Sequence, residues 1–180
     1  MASIMRFDQW QNSLGQNYGT ILQIQQTFNN ANSTYGSGDY TLMSVSITPK
    51  MPGSKIYISS IISHGFNNSV DNNDPWDTSF WFKRNSTIIG INPSATRNGL
   101  GAVQSMYTTD VQWNSQSTYK LGYETIQRPF NYLDSPTYNV GDTIVYSFMA
   151  RFQTAGWINR SSQVGDSGSV SSITVMEIAQ

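Results

Sequence analysis

One histidine, a cluster of three aspartates and a set of tryptophans in polar surroundings are the residues with the most chemistry to offer. His64 follows an apolar run in IISHGF. A single imidazole excludes a zinc site built on several histidines and every two-histidine motif. A Ser-His-Asp arrangement needs only one, yet no G-x-S-x-G elbow leads into a helical pattern. His64 therefore reads as a strand-end residue. Asp71, Asp74 and Asp77 crowd the stretch VDNNDPWD, and closely placed carboxylates can bind a hard cation or share acid–base work. The calcium-loop pattern fails: Pro75 stands where an oxygen ligand belongs, and the turn glycine and closing glutamate are both missing. Asp and Asn also favour turns for purely local reasons. With no GxxxxGK and no GxGxxG either, the expectation is a protein without enzymatic activity, metal or cofactor.

The tryptophans suggest binding instead. Trp76 lies between Asp74 and Asp77, a combination suited to stacking on a sugar ring while hydrogen-bonding its hydroxyls. Trp113 in QWNSQS and Trp157 in AGWINRSS have similar neighbours. One indole gives a large flat apolar area and a polar N–H, which is why Trp concentrates at binding surfaces. Asp74, Trp76, Asp77, Trp113 and Trp157 are thus the candidate surface or glycan contacts; the alternative is that each tryptophan plugs an end of the core. Four N-x-S/T triplets, beginning at Asn32, Asn67, Asn85 and Asn159, are what so much Asn and Ser gives by chance.

The elements that must position these residues are strands. Over 180 residues, apolar types make up 38% and charged types only 12%, with ten Tyr, eight Phe and five Trp, so the chain has the material for one packed domain rather than for disorder. A net charge of −1 with scattered Lys and Arg gives no case for nucleic acid or an anionic membrane. No apolar run approaches the roughly 18 residues of a membrane helix. The first residues lack a secretory pattern, so synthesis in a cytoplasm is expected. The absence of cysteine rules out disulfides and thiolate metal sites.

Short apolar runs recur between Gly, Pro, Asn, Asp and Ser clusters, the mark of an all-β domain. ILQIQQTF from Ile21 opens the series. LMSVSIT sets Leu42 against Met43, Val45 and Ile47, and KIYISSII sets Ile56, Ile58 and Ile62 on one side, with a turn at Pro52–Gly53 between them. SFWFKRN puts Trp81 and Lys83 opposite Phe80, Phe82 and Arg84. The signal between Ser105 and Leu121 is weak, and Gly122–Gln127 gives one more short strand. TIVYSFMARF places Ile144, Tyr146, Phe148, Ala150 and Phe152 on one face in strict alternation, after a turn at Asn139–Asp142. SSITVMEIAQ carries Ile173 and Val175 on one side and Met176 and Ile178 on the other. Two apolar faces suggest a central strand or one covered by a neighbouring subunit, so these four are the expected subunit interface. About eight strands suit an all-β, two-sheet β-sandwich or jelly roll.

The two ends carry a resemblance. IMRFDQWQNSLGQNYGTILQ, with Met5, Arg6, Phe7, Asp8, Trp10, Gln11 and Gly15, resembles the opening of tail-fibre-like proteins of marine and freshwater bacteriophages, the cyanophage type included. SSITVMEIAQ resembles the closing strand of that group, SVSITPKMPGSKIYI its strand–turn–strand passage, and FNYLDSPTYNVGDTIVYSFMAR a segment leading into a strand. Residues 63–118 are poorly anchored by it. The resemblance implies a jelly-roll module of the tumour-necrosis-factor kind, homotrimeric, non-enzymatic, and part of a virion assembled in a bacterial cytoplasm. Its partners would be itself, other tail or capsid proteins and a host surface glycan, with no nucleic acid and no membrane insertion. A capsid decoration protein, a baseplate component and a stand-alone carbohydrate-binding or hydrolytic domain are the alternatives. The resemblance also implies two parts: residues 1–20 as an extended arm, docking on the particle or a neighbouring subunit through Phe7, Trp10, Leu14 and Tyr18, and residues 21–180 as the sandwich.

Overall fold

Alternating apolar and polar residues rich in β-branched and aromatic types satisfy their backbone only by pairing with another strand. In the computed structural model every helix or strand among the described residues is a strand. Those residues are 20–65, 78–90, 104–106, 125–152, 156–160 and 168–179. The strands are β1 (Ile21–Asn29), β2 (Ser33–Tyr35), β3 (Gly38–Ile47), β4 (Lys55–Gly65), β5 (Thr78–Arg84), β6 (Thr87–Ile89), β7 (Gln104–Met106), β8 (Thr125–Asp134), β9 (Ile144–Phe152), β10 (Gly156–Ile158) and β11 (Ser171–Ile178).

They form two antiparallel sheets. In the first, β1 pairs with β11, β11 with β4, and β8 takes the opposite edge of β4; β10 follows β11 along β4 and carries β2. The second runs β3-β9-β5, with β6 and β7 sharing the far edge of β5. The pairs nest: β1 with β11, β3 with β9, β4 with β8, β5 with β7. A long double ribbon rolled up on itself gives this order, and the result is a jelly-roll β-sandwich.

The inner faces meet in a core of aromatic and branched residues. All five alternating residues of β9 are buried, as are Ile56, Ile58 and Ile62 of β4, Phe80 and Phe82 of β5, Phe130 of β8 and Ile173 and Val175 of β11. The expected turns are present: Gly53 and Gly141 both adopt positive φ, and Asp142 accepts the Asn139 N–H at 2.9 Å.

Three local expectations give way. Leu42 does not oppose Met43; a bulge between Thr41 and Met43 against β9 turns both inward, as an extra residue in one strand does. The strand expected to stop at Gln127 continues through Pro129 to Asp134. Proline is tolerated there because β8 is bonded to β4 alone among the described strands, so its other edge needs no donor. Trp81, opposite the core on β5, is nonetheless buried beside its register partner Met149.

Candidate functional site

Buried polar side chains fix the ends of the sandwich. At one end Asp134, at the close of β8, accepts Arg84 Nη1 on both oxygens (2.8 and 2.9 Å) and the Tyr146 hydroxyl (2.8 Å), tying the first sheet to β5 and β9 of the second. Burial pushes the Tyr146 hydroxyl far above its ordinary pKa, and the Asp134 carboxylate beside it adds to that. In the same row of the sheet, across Ile56, lies Glu177 of β11. It accepts the Lys50 and Met51 N–H groups (2.9 and 3.1 Å to Oε1) and the Gln23 amide (2.7 Å to Oε2), so it gathers the turn after β3 against β1. Burial raises its pKa, and the hydrogen bonds from Gln23, Lys50 and Met51 outweigh that, holding it below the usual carboxylate range.

At the other end Asn159, at φ +60°, is fully buried and bonded on both sides. Its amide donates to Asn29 O (2.7 Å) and Ala31 O (3.2 Å), and its Oδ1 accepts the Ser171 hydroxyl (2.6 Å). Asn159 is thus a structural hub, which removes that N-x-S triplet as an accessible acceptor. His64 is buried against Phe80, ring centres 5.5 Å apart. Burial, followed by the charge of Arg128, pulls its pKa down to about 4. A base whose folded pKa is depressed contributes stability that is complete above its unfolded pKa of 6.5 and is lost as pH falls. Going from pH 7 to pH 5 should therefore cost about 2 kcal/mol through this one group. As the sole histidine, it makes the check clean: His64→Gln should flatten the urea midpoint across that interval.

The outer face of the first sheet carries a different chemistry. Register sets its side chains in rows: Ile21–Ile178–Lys55, then Ile24–Met176–Tyr57–Leu133, Gln26–Thr174–Ser59–Asn131, and Phe28–Ser172–Ile61–Pro129. Ile24, Phe28, Ile61 and Leu133 are 53%, 64%, 42% and 47% exposed. The last three rows hold no charge, whereas the outer face of the second sheet carries the Asp39–Arg151 pair, joined by two hydrogen bonds, and Lys83. Four strands at about 4.8 Å and four rows at about 6.8 Å make a face of roughly 500 Å². The Ile24 and Phe28 rows supply about half of that area, roughly 250 Å² of mainly apolar surface, set on either side of the polar Gln26 row.

Of the expected interface residues, Met176 and Ile178 stand on this outer face, half-buried. Ile173 and Val175 face the core and are fully buried, so they cannot touch another subunit; the correction follows from the two-residue period, which sends alternate residues of β11 to opposite faces. Trp157, in β10, is half-buried and lies on the outer side, opposite Gly65. Phe7, Trp10, Leu14, Tyr18, Asp74, Trp76, Asp77 and Trp113 lie outside the described residues. Ile24, Phe28, Tyr57, Ile61 and Leu133 escaped the sequence reading. For Tyr57, Ile61 and Leu133 the signal is apolar residues at the second parity of strands whose first parity supplies the core; in β1 the first parity holds Gln23, Gln25 and Thr27, and Ile24 and Phe28 are its only apolar residues beyond the first two. The chain matches no known protein family and no curated protein.

Proposed function

We propose that this chain is a non-enzymatic structural protein of a bacteriophage virion, a homotrimeric fibre or tip module that docks on the particle and contacts the host surface. The observation that carries the assembly part is the pair of exposed, mainly apolar rows of Ile24 and Phe28 on the outer face of the first sheet, with no charge in them or in the row between. Leaving Ile24, Phe28, Ile61 and Leu133 in water forgoes burial worth about 25 cal/mol per Å² of apolar area, which a neighbouring subunit recovers. Covering the whole face with a different surface of a neighbouring subunit, as a closed three-fold ring requires, buries roughly 1,000 Å² counted over both partners, the lower bound for a specific interface. The virion part draws on the resemblance of the ends and of the β3–β4 passage to phage tail-fibre-like proteins. Repeated weak contacts by several copies would give such a module avidity for a host glycan.

Sedimentation of the full chain at micromolar concentration tests the assembly, with a trimer expected and a monomer overturning it. Leu133→Asp places a charge amid the uncharged rows and should weaken association by about a hundredfold, while the exposed position keeps the change in monomer stability within about 1 kcal/mol. Quantification in purified particles tests the station: a few dozen copies or fewer means a fibre, hundreds mean a shell decoration, and none overturns the virion reading.

A further inference from the structure

The long edges of the two sheets are not protected alike. Sheet edges invite pairing with foreign strands and are commonly blunted by charge, proline, bulges or shortness. β2, β6 and β7 are three residues long, β8 carries Arg128 and Pro129, and β3 carries Asp39 and a bulge. β1 runs nine residues, ILQIQQTFN, with no charge and no proline, and its one irregularity lies at its start. Among the described residues it pairs only with β11. Ile24 and Phe28, four residues apart with Gln26 between, point from it onto the apolar outer face.

The segment entering β1 repeats that pattern. From Gln9 to Gly19 it is uncharged, and Trp10, Leu14 and Tyr18 recur every fourth residue with Asn12 and Gln16 between. In an extended strand these three share one side, about 13.6 Å apart, which is the distance between the Ile24 and Phe28 rows.

Resting on the homo-oligomer reading above, we propose that residues 9–18 of a second copy add as an antiparallel strand to the edge of β1 that has no strand partner among the described residues, with Trp10 beside Phe28, Asn12 beside Gln26 and Leu14 beside Ile24. Backbone pairing supplies the affinity and the alternate side chains the register, as in other strand additions. Asn12 and Gln26 meet as an amide pair, and the aromatic and aliphatic anchors extend the apolar rows of the outer face. A second copy fits better than the chain's own segment: in a hairpin of the same register Tyr18 would fall in the turn, and its ring would leave the row.

The lack of cysteine makes the pairing directly testable. Paired strands hold Cα atoms about 4.5–5.5 Å apart, within disulfide range. Asn12→Cys and Gln26→Cys variants are purified separately, one of them tagged, then mixed and oxidised. The expected result is a mixed disulfide at about tenfold the yield of a control pairing Asn12→Cys with Ser46→Cys, on the other sheet, because docking raises the local concentration of the thiol. No excess over the control, with a trimer still seen in sedimentation, overturns this placement and leaves the assembly reading intact. An intrachain bond alone in the Asn12→Cys/Gln26→Cys double variant overturns it in favour of the chain's own segment. A monomeric wild type removes both.

Discussion

Phe148→Ala lowers the unfolding free energy by about 3–5 kcal/mol, the range for deleting a buried aromatic ring. Phe148 sits at the middle of β9, fully buried, and its ring is the junction of the core. Phe80 stacks on it at 5.6 Å, and Phe82 and Phe130 meet it tilted at 5.3 and 5.1 Å. Phe80 and Phe82 belong to β5 in the same sheet; Phe130 belongs to β8 in the other. The residue therefore joins the two layers as well as filling them. Collapse cannot heal the void, because each neighbour hangs on a strand pinned by its own ladder, β5 against β9 and β8 against β4. The cost should accordingly fall in the upper half of the range. A urea titration reads it as a lower midpoint with unchanged slope, and in calorimetry it appears as a drop of about 10 °C or more. A loss under 1 kcal/mol would mean that the four rings do not form one packed unit.

The same ring explains what the sequence could and could not disclose. Strict alternation over Ile144, Tyr146, Phe148, Ala150 and Phe152 has one physical reading, a strand with one face in a core, and the structure gives it that face. Where the period is broken, the pattern misleads. The bulge at Leu42 shifts the parity by one, and nothing in LMSV distinguishes an extra residue from a regular one. Pro129 reads as a stop, and only its place on an edge makes it harmless. Strands as short as β2 and β10 hold too few residues for any period to register. Which apolar face of β11 is internal depends on the opposing sheet, information that no local window contains. The buried acids were equally out of reach of a search for catalytic clusters, because Asp134 and Glu177 meet their partners over separations of 50 and 127 residues.

Glu177 leads to the second large effect. It falls on the parity of Ile173 and Val175, so the alternation that builds the core also draws a carboxylate inward. Such a group survives burial only when its oxygens are bonded, and here they accept two backbone N–H groups of the Lys50–Met51 turn and the Gln23 amide. Glu177→Ala leaves the two backbone N–H groups without their acceptor and the Gln23 amide with Thr48 O alone (2.7 Å), so the turn is held to β1 by fewer bonds. Hydrogen bonds to a charged group contribute about 1.5–3 kcal/mol each, and water reaching the exposed side of the turn restores part of that, so the net loss near neutral pH should be about 3 kcal/mol. Glu177→Gln keeps one acceptor oxygen and should lose roughly half as much. The pH dependence identifies the cause. Because the folded pKa lies below the ordinary 4.5, the contribution is complete above pH 4.5 and disappears as pH falls through the folded value. The gap between wild type and Glu177→Ala should hold constant from pH 7 to pH 5, the interval in which protonation of His64 in the unfolded state lowers the stability of both proteins alike, and close only in stronger acid. A gap that shrinks between pH 7 and pH 5 would show that Glu177 is not the ionised clamp of this turn.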